Sequence, residues 1–139
     1  MKAVILAGGK GTRLQSRTHN IPKPMVPIAG VPLLEYQIRL LARYNIRDII
    51  ILTGFLADKI ESYFQQGKAL GVSIQYYREK KPLGTTGGLK EIEDMLTHDF
   101  LLLYGDVMVE MELAKLLDFH RQNQAVATLV LHPLSLIHI

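Results

Sequence analysis

Two hydrophobic periodicities alternate along this chain. Continuous apolar runs of strand length stand at Val4-Ile5-Leu6, within Asp48–Thr53, and at Phe100-Leu101-Leu102-Leu103-Tyr104, with a further strand predicted over Val72–Tyr77. Between them the apolar residues recur at helical spacing. Leu34, Ile38 and Leu41 lie at i, i+4 and i+7, which predicts an amphipathic helix over Pro32–Tyr44 with proline near its first turn. Helices are also predicted over Leu56–Gln66, Thr86–Leu96 and Leu113–Gln122, and a fifth strand over Ala125–Leu131. Strands that alternate with helices predict parallel βαβ units. Strands apolar on both faces predict a sheet covered on both sides, because half-exposed strands would alternate. The expected fold class is therefore α/β, a mostly parallel sheet with helices on both faces. Ligands of such sheets bind beyond the carboxyl ends of the strands. Gly8-Gly9, Gly54 and Gly105-Asp106 each follow a strand.

Composition narrows the picture. At 139 residues, 48% hydrophobic and 21% charged, the chain can bury one sizeable core. It has no cysteine, which excludes disulfides and thiolate metal sites and fits a reducing compartment. The apolar start Met1–Ala7 is too short for a signal peptide and meets Gly8-Gly9 at once. No run approaches the roughly 20 apolar residues of a membrane span. A cytoplasmic protein with no membrane partner is expected. The net charge of +3 is mild for a nucleic-acid binder. Lys10, Arg13, Arg17 and Lys23 gather in one early segment, which is either a solvated loop or a pocket for a small polyanion, the motif there favouring the pocket.

The segment Leu6-Ala7-Gly8-Gly9-Lys10-Gly11-Thr12-Arg13-Leu14 follows the first strand. Its glycines let backbone amides approach a ligand, and consecutive amides in one concavity bind anions. Lys10 adds charge, and Arg13 can fork onto phosphate oxygens. A Walker A loop does not fit, since Val4 stands where its first glycine belongs and Gly11 follows Gly9-Lys10. A dinucleotide fingerprint does not fit either, because the loop runs into a polar, proline-containing stretch. A plain glycine turn is the alternative. Downstream, Pro22, Pro24 and Pro27 are expected to hold the chain extended around Lys23, which would aim one ammonium. Asp106, just beyond a buried strand, offers a hard oxygen suited to Mg²⁺, or else merely closes a Gly-Asp turn. Thr85 or Thr86 could cap the helix that follows the second glycine-rich loop. His19, His98, His120 and His132 show no metal-ligand spacing, and Tyr76 and Tyr77 read as strand packing.

Gly8-Gly9-Lys10-Gly11-Thr12-Arg13-Leu14 followed by Pro22-Lys23-Pro24-Met25 resembles the signature of the sugar-1-phosphate nucleotidyltransferases. Glu79-Lys80-Lys81-Pro82-Leu83-Gly84-Thr85-Thr86-Gly87 is similar to a second motif of that family, with Thr86 in place of alanine. The resemblance runs from Lys2 to about Pro133 and leans toward the guanylyltransferases of mannose and heptose phosphates. It implies a Rossmann-like nucleotide-diphospho-sugar transferase fold. It also implies transfer of a nucleotidyl group from a nucleoside triphosphate, GTP favoured, to a sugar 1-phosphate, with release of pyrophosphate. Arg13 and Lys23 would then be catalytic. Leu6, Ala7, Gly8, Gly9, Gly11, Thr12, Arg13, Lys23, Glu79, Gly84, Thr85 and Gly87 would bind the nucleotide, and Asp106 would hold Mg²⁺. Residues 1–133 would be the nucleotide-binding part of a longer enzyme. The last six residues, Leu134–Ile139, match a reading frame of a common transposase sequencing adapter and are expected to be non-native. The fragment by itself is expected to be inactive. A non-catalytic nucleotide-binding or regulatory homologue is the alternative function, although such proteins lose motif residues and Arg13, Lys23 and Asp106 are all present. The sugar and the oligomeric state, a homo-oligomer included, stay open.

Overall fold

The isoleucine- and leucine-rich runs pair side by side into a parallel sheet, because strands apolar on both faces need layers above and below them. A computed structural model describes residues 1–9, 20–79 and 84–131, without the side chain of Thr85. The chain divides into two units, Met1–Val109 and Glu110–Ile139. In the first, β1 (Lys2–Ala7), β4 (Asp48–Thr53), β5 (Ser73–Arg78) and β6 (Phe100–Tyr104) form one sheet in the order β5-β4-β1-β6. All its pairings are parallel, with Lys2 opposite Asp48 and Phe100, and Asp48 opposite Ser73. A small antiparallel pair, β2 (Pro27–Ile28) and β3 (Val31–Pro32), precedes α1 (Leu33–Arg43). Its two turn residues, Ala29 and Gly30, both have positive φ, the backbone that suits a two-residue hairpin.

The helices α1, α2 (Ala57–Phe64) and α3 (Gly84–Glu91) are the crossovers. The chain steps from β1 to β4 to β5 in one direction, then returns to place β6 on the far side of β1. Right-handed crossovers therefore put α1 and α2 on one face and α3 on the other. The core follows the strand alternation. Val4, Ile50 and Leu52 pack with Ile92, Leu89 and Met95 on the α3 side. Ala3, Ile5, Ile49 and Ile51 are buried on the other side, as are Leu34, Ile38 and Leu41 of α1 and Ile60 and Phe64 of α2. Glu35 on α1 is buried but paired with Arg39, and it accepts a 2.9 Å bond from the Tyr63 hydroxyl of α2. The parallel sheet and its two helical layers match the periodicities.

Three expectations need correction. The helix predicted over Thr86–Leu96 starts earlier, at Gly84, and ends at Glu91, with a separate 3-10 turn over Glu93–Met95. Thr85 and Thr86 thus lie inside its first turn and do not cap it, because the glycines that look like an entry loop are wound into the helix itself. In the second unit, α4 (Leu113–Gln122) forms as predicted, but residues 125–131 belong to no sheet. Apolarity signals a strand only where a neighbour exists to accept its ladder of hydrogen bonds. Val126, Leu129 and Leu131 are instead exposed, and the segment is tied to α4 through a 2.9 Å bond between His120 and Thr128. Among the described residues no helix is long and apolar enough to cross a membrane.

Candidate functional site

Where the winding direction of a parallel sheet reverses, the loops on either side diverge and leave a crevice at the carboxyl ends of the strands. Here that point lies between β1 and β6, and Gly8-Gly9 and Gly105-Asp106 are the segments that leave those two strands. The loops are locked together by backbone contact. The Gly105 N–H donates to the Leu6 carbonyl at 2.8 Å, extending the β1–β6 ladder by one bond. A side chain at Gly105 would start 2.9 Å from that same oxygen and 3.3 Å from Pro24. On the other flank of β1, a side chain at Gly54 would start 2.8 Å from the Gly8 carbonyl, which accepts from the Phe55 N–H at 3.3 Å.

Pro24 packs onto Gly105 and carries Lys23 with it. Pro22 is extended, as its ring dictates, but Lys23–Met25 then closes a 3-10 turn in which the Met25 N–H donates to the Pro22 carbonyl at 2.8 Å. The expectation of an extended segment around Lys23 is corrected accordingly. A proline φ near −65° serves a helical first turn as well as an extended chain, so the prolines alone do not choose. The turn delivers the Lys23 ammonium to 3.7 Å from the Asp106 carboxylate, with both side chains partly open to solvent. Two groups distant in sequence, both singled out from it, thus meet at the switch point.

Glu79 forms the third side. Its N–H donates to the Thr53 carbonyl at 2.8 Å, one residue beyond the β4–β5 ladder. Its carboxylate turns back over the end of β1 and lies against the Cα atoms of Gly8 and Gly88; a side chain at Gly88 would start 2.6 Å from Oε1. Burial against this backbone raises its pKa above the ordinary glutamate value. Gly84 opens α3, and Gly87 and Gly88 lie within it, the latter buried. Leu6 and Ala7 close β1. Tyr76 and Tyr77 lie on β5, their hydroxyls bonded to the Gln65 carbonyl and to Glu91. His98 pairs with Thr97, and His120 with Thr128.

Lys10, Gly11, Thr12, Arg13, Arg17, His19, Lys80, Lys81, Pro82, Leu83 and His132 lie outside the described residues, as do the side chain of Thr85 and the segment 134–139. One residue escaped the sequence reading. Gln37 of α1 is buried, and its amide nitrogen bonds the carbonyls of Tyr104 and Val107, on either side of Asp106. The signal was a glutamine at the i+3 position of the apolar stripe that Leu34, Ile38 and Leu41 define. Among the described residues no three His, Cys, Asp or Glu side chains cluster as a metal cage. Asp106 at the carboxyl end of β6 is a single exposed carboxylate, the kind of group that binds Mg²⁺ where phosphates and waters supply its other ligands.

With that geometry the chain can be set beside known proteins. The nucleotidyl transferase family matches residues 2–135. The chain belongs to this family. It is 44% identical to the mannose-1-phosphate guanylyltransferase of Mycobacterium tuberculosis, over 93% of this chain and 36% of that protein. It is 39% identical to the UTP–glucose-1-phosphate uridylyltransferase of Synechocystis, over 94% of this chain and 37% of that one. Among solved structures, HddC from Yersinia pseudotuberculosis in complex with GMP-PN superposes with a TM-score of 0.77 at 32% identity, covering 86% of this chain and 53% of that one. The Rossmann-like fold implied by the motifs is thereby established. The chain spans between about a third and a half of the length of these relatives.

Proposed function

We propose that this chain is the nucleotide-binding part of an enzyme that transfers a guanylyl group from GTP to a sugar 1-phosphate. The observation that carries the reading is the meeting of Gly8-Gly9, Lys23, Asp106 and Glu79 at the carboxyl ends of β1, β6 and β5. The proposed reaction is attack by a sugar-phosphate oxygen on the α-phosphorus of the nucleotide. The bond from that phosphorus to the bridging oxygen breaks, and pyrophosphate leaves with the electron pair. Chemistry of this kind depends on positioning and on positive charge placed where negative charge develops. The amides of Gly8 and Gly9 would face the phosphates, and Lys23, with Arg13, would neutralise the departing pyrophosphate. Asp106 would hold Mg²⁺, which when bound supplies further charge neutralisation to the triphosphate.

The choice of base rests on Glu79. An ionised carboxylate only accepts hydrogen bonds. Guanine presents two adjacent donors, N1–H and the 2-amino group, on one edge, and a carboxylate matches both. Uracil and thymine present one donor flanked by carbonyls, which a carboxylate repels. A guanylyltransferase and a UTP–glucose-1-phosphate uridylyltransferase are both similar to this chain, so the acidic side chain is what favours guanine. The test is the ratio of GTP to UTP affinity in the unsubstituted chain and in Glu79→Gln. Hydrogen bonds to charged groups contribute about 1.5–3 kcal/mol, so the ratio should fall by about tenfold or more. A ratio that does not move would remove Glu79 from base selection.

A further inference from the structure

Gln37 stands in the buried stripe of α1 with Leu34, Ile38 and Leu41, and is only 1% exposed. Its Nε2 donates to the Tyr104 carbonyl at 2.7 Å and to the Val107 carbonyl. These two carbonyls are the ends of a single turn, since the Val107 N–H donates back to the Tyr104 carbonyl at 3.2 Å. Gly105 and Asp106 are the residues between. The orientation of the amide is forced, because the opposite one would press its oxygen against two carbonyl oxygens. Oε1 then has no hydrogen-bond partner among the described residues. Burying an unsatisfied acceptor destabilises a protein, and a leucine or methionine in the stripe would avoid that. The amide is therefore not explained by the packing of α1. Its two bonds to the turn are what distinguish it from an apolar neighbour.

We propose that Gln37 is a positioning residue that sets the Tyr104–Val107 turn and so aims the Asp106 carboxylate at the cation that accompanies the nucleotide. This rests on the reading of Asp106 given above. The turn is held on one side by the Gly105 N–H bonded to Leu6 and by Pro24 packed on Gly105. Those contacts fix its proximal half. Gln37 alone, among the described hydrogen bonds, reaches across to the Val107 carbonyl from another element and fixes the distal half. Its side chain acts through Asp106.

The test uses the full chain and measures GTP affinity with Mg²⁺ and with EDTA. Gln37→Met keeps the length of the side chain and removes the donor; Gln37→Glu keeps its shape and turns an acceptor toward each carbonyl. Residues that orient a metal ligand typically change metal affinity by about 10–100-fold. Both variants should reduce the tightening that Mg²⁺ gives by about tenfold or more and leave the affinity in EDTA unchanged. Asp106→Asn should abolish the tightening, and adding Gln37→Met to it should change nothing further. A purely structural role would instead lower both affinities and the melting temperature together. If Asp106→Asn abolishes the tightening and neither Gln37 variant reduces it, the role of Gln37 is refuted and that of Asp106 stands. If Asp106→Asn leaves the tightening intact, or the unsubstituted chain shows none, the reading of Asp106 fails and the proposal fails with it. If neither Gln37 variant folds, the amide is structural and the proposal is overturned.

Discussion

At the scale of the residue, the crevice glycines are fixed by close approach, of backbone at Gly54 and Gly105 and of the Glu79 carboxylate at Gly8 and Gly88. Gly105 is the clearest, since its N–H extends the β1–β6 ladder while a Cβ would meet the Leu6 carbonyl at 2.9 Å. That oxygen belongs to a central strand and cannot move aside. Overpacking at a rigid contact costs about 1–3 kcal/mol, so Gly105→Ala should lower stability by that amount in a urea titration. A neutral substitution would mean that β6 shifts freely against β1. The sequence shows that a glycine precedes Asp106 but not what crowds it, because Leu6 and Pro24 arrive from distant parts of the chain. The same holds for Glu79. Its motif is legible, whereas its burial against Gly8 and Gly88 is a product of folding.

At the scale of the element, four of the five predicted strands form, and their buried isoleucines and leucines were legible because a central parallel strand is apolar on both faces. Residues 125–131 have the same apolar look and no ladder, because pairing is a property of the neighbour. Charge networks at the strand ends were equally illegible. Arg78 closes β5 by bonding Asp58 and Glu61 of α2, and Glu61 also accepts from the Thr53 hydroxyl at 3.3 Å. The Arg78 guanidinium is the main cause holding the Glu61 carboxyl below its ordinary 4.5, against a smaller opposing effect of burial. The folded pKa lies below the unfolded one, so this stability is fully present above about 4.5 and is lost as pH falls through the lower, folded value. Arg78→Ala should therefore destabilise the chain near pH 7, and the gap between the two proteins should narrow by about pH 3. A gap that stays constant with pH would show that Arg78 contributes packing rather than charge.

At the scale of the whole molecule, the described sheet, its two helical layers and the crevice all lie in the first unit. We propose that this chain is the nucleotide-binding part of an enzyme of the family whose match covers residues 2–135. The relatives extend well past the length of this chain. What this chain should do by itself is hold the nucleotide. The measurement that bears most directly on this is equilibrium binding of GTP with Mg²⁺ to the folded chain and to Lys23→Ala. Saturable binding that weakens by about tenfold or more without the lysine is predicted, in line with the 1.5–3 kcal/mol of a charged hydrogen bond. A folded chain that binds no nucleoside triphosphate, or one that binds equally well without Lys23, would contradict the account.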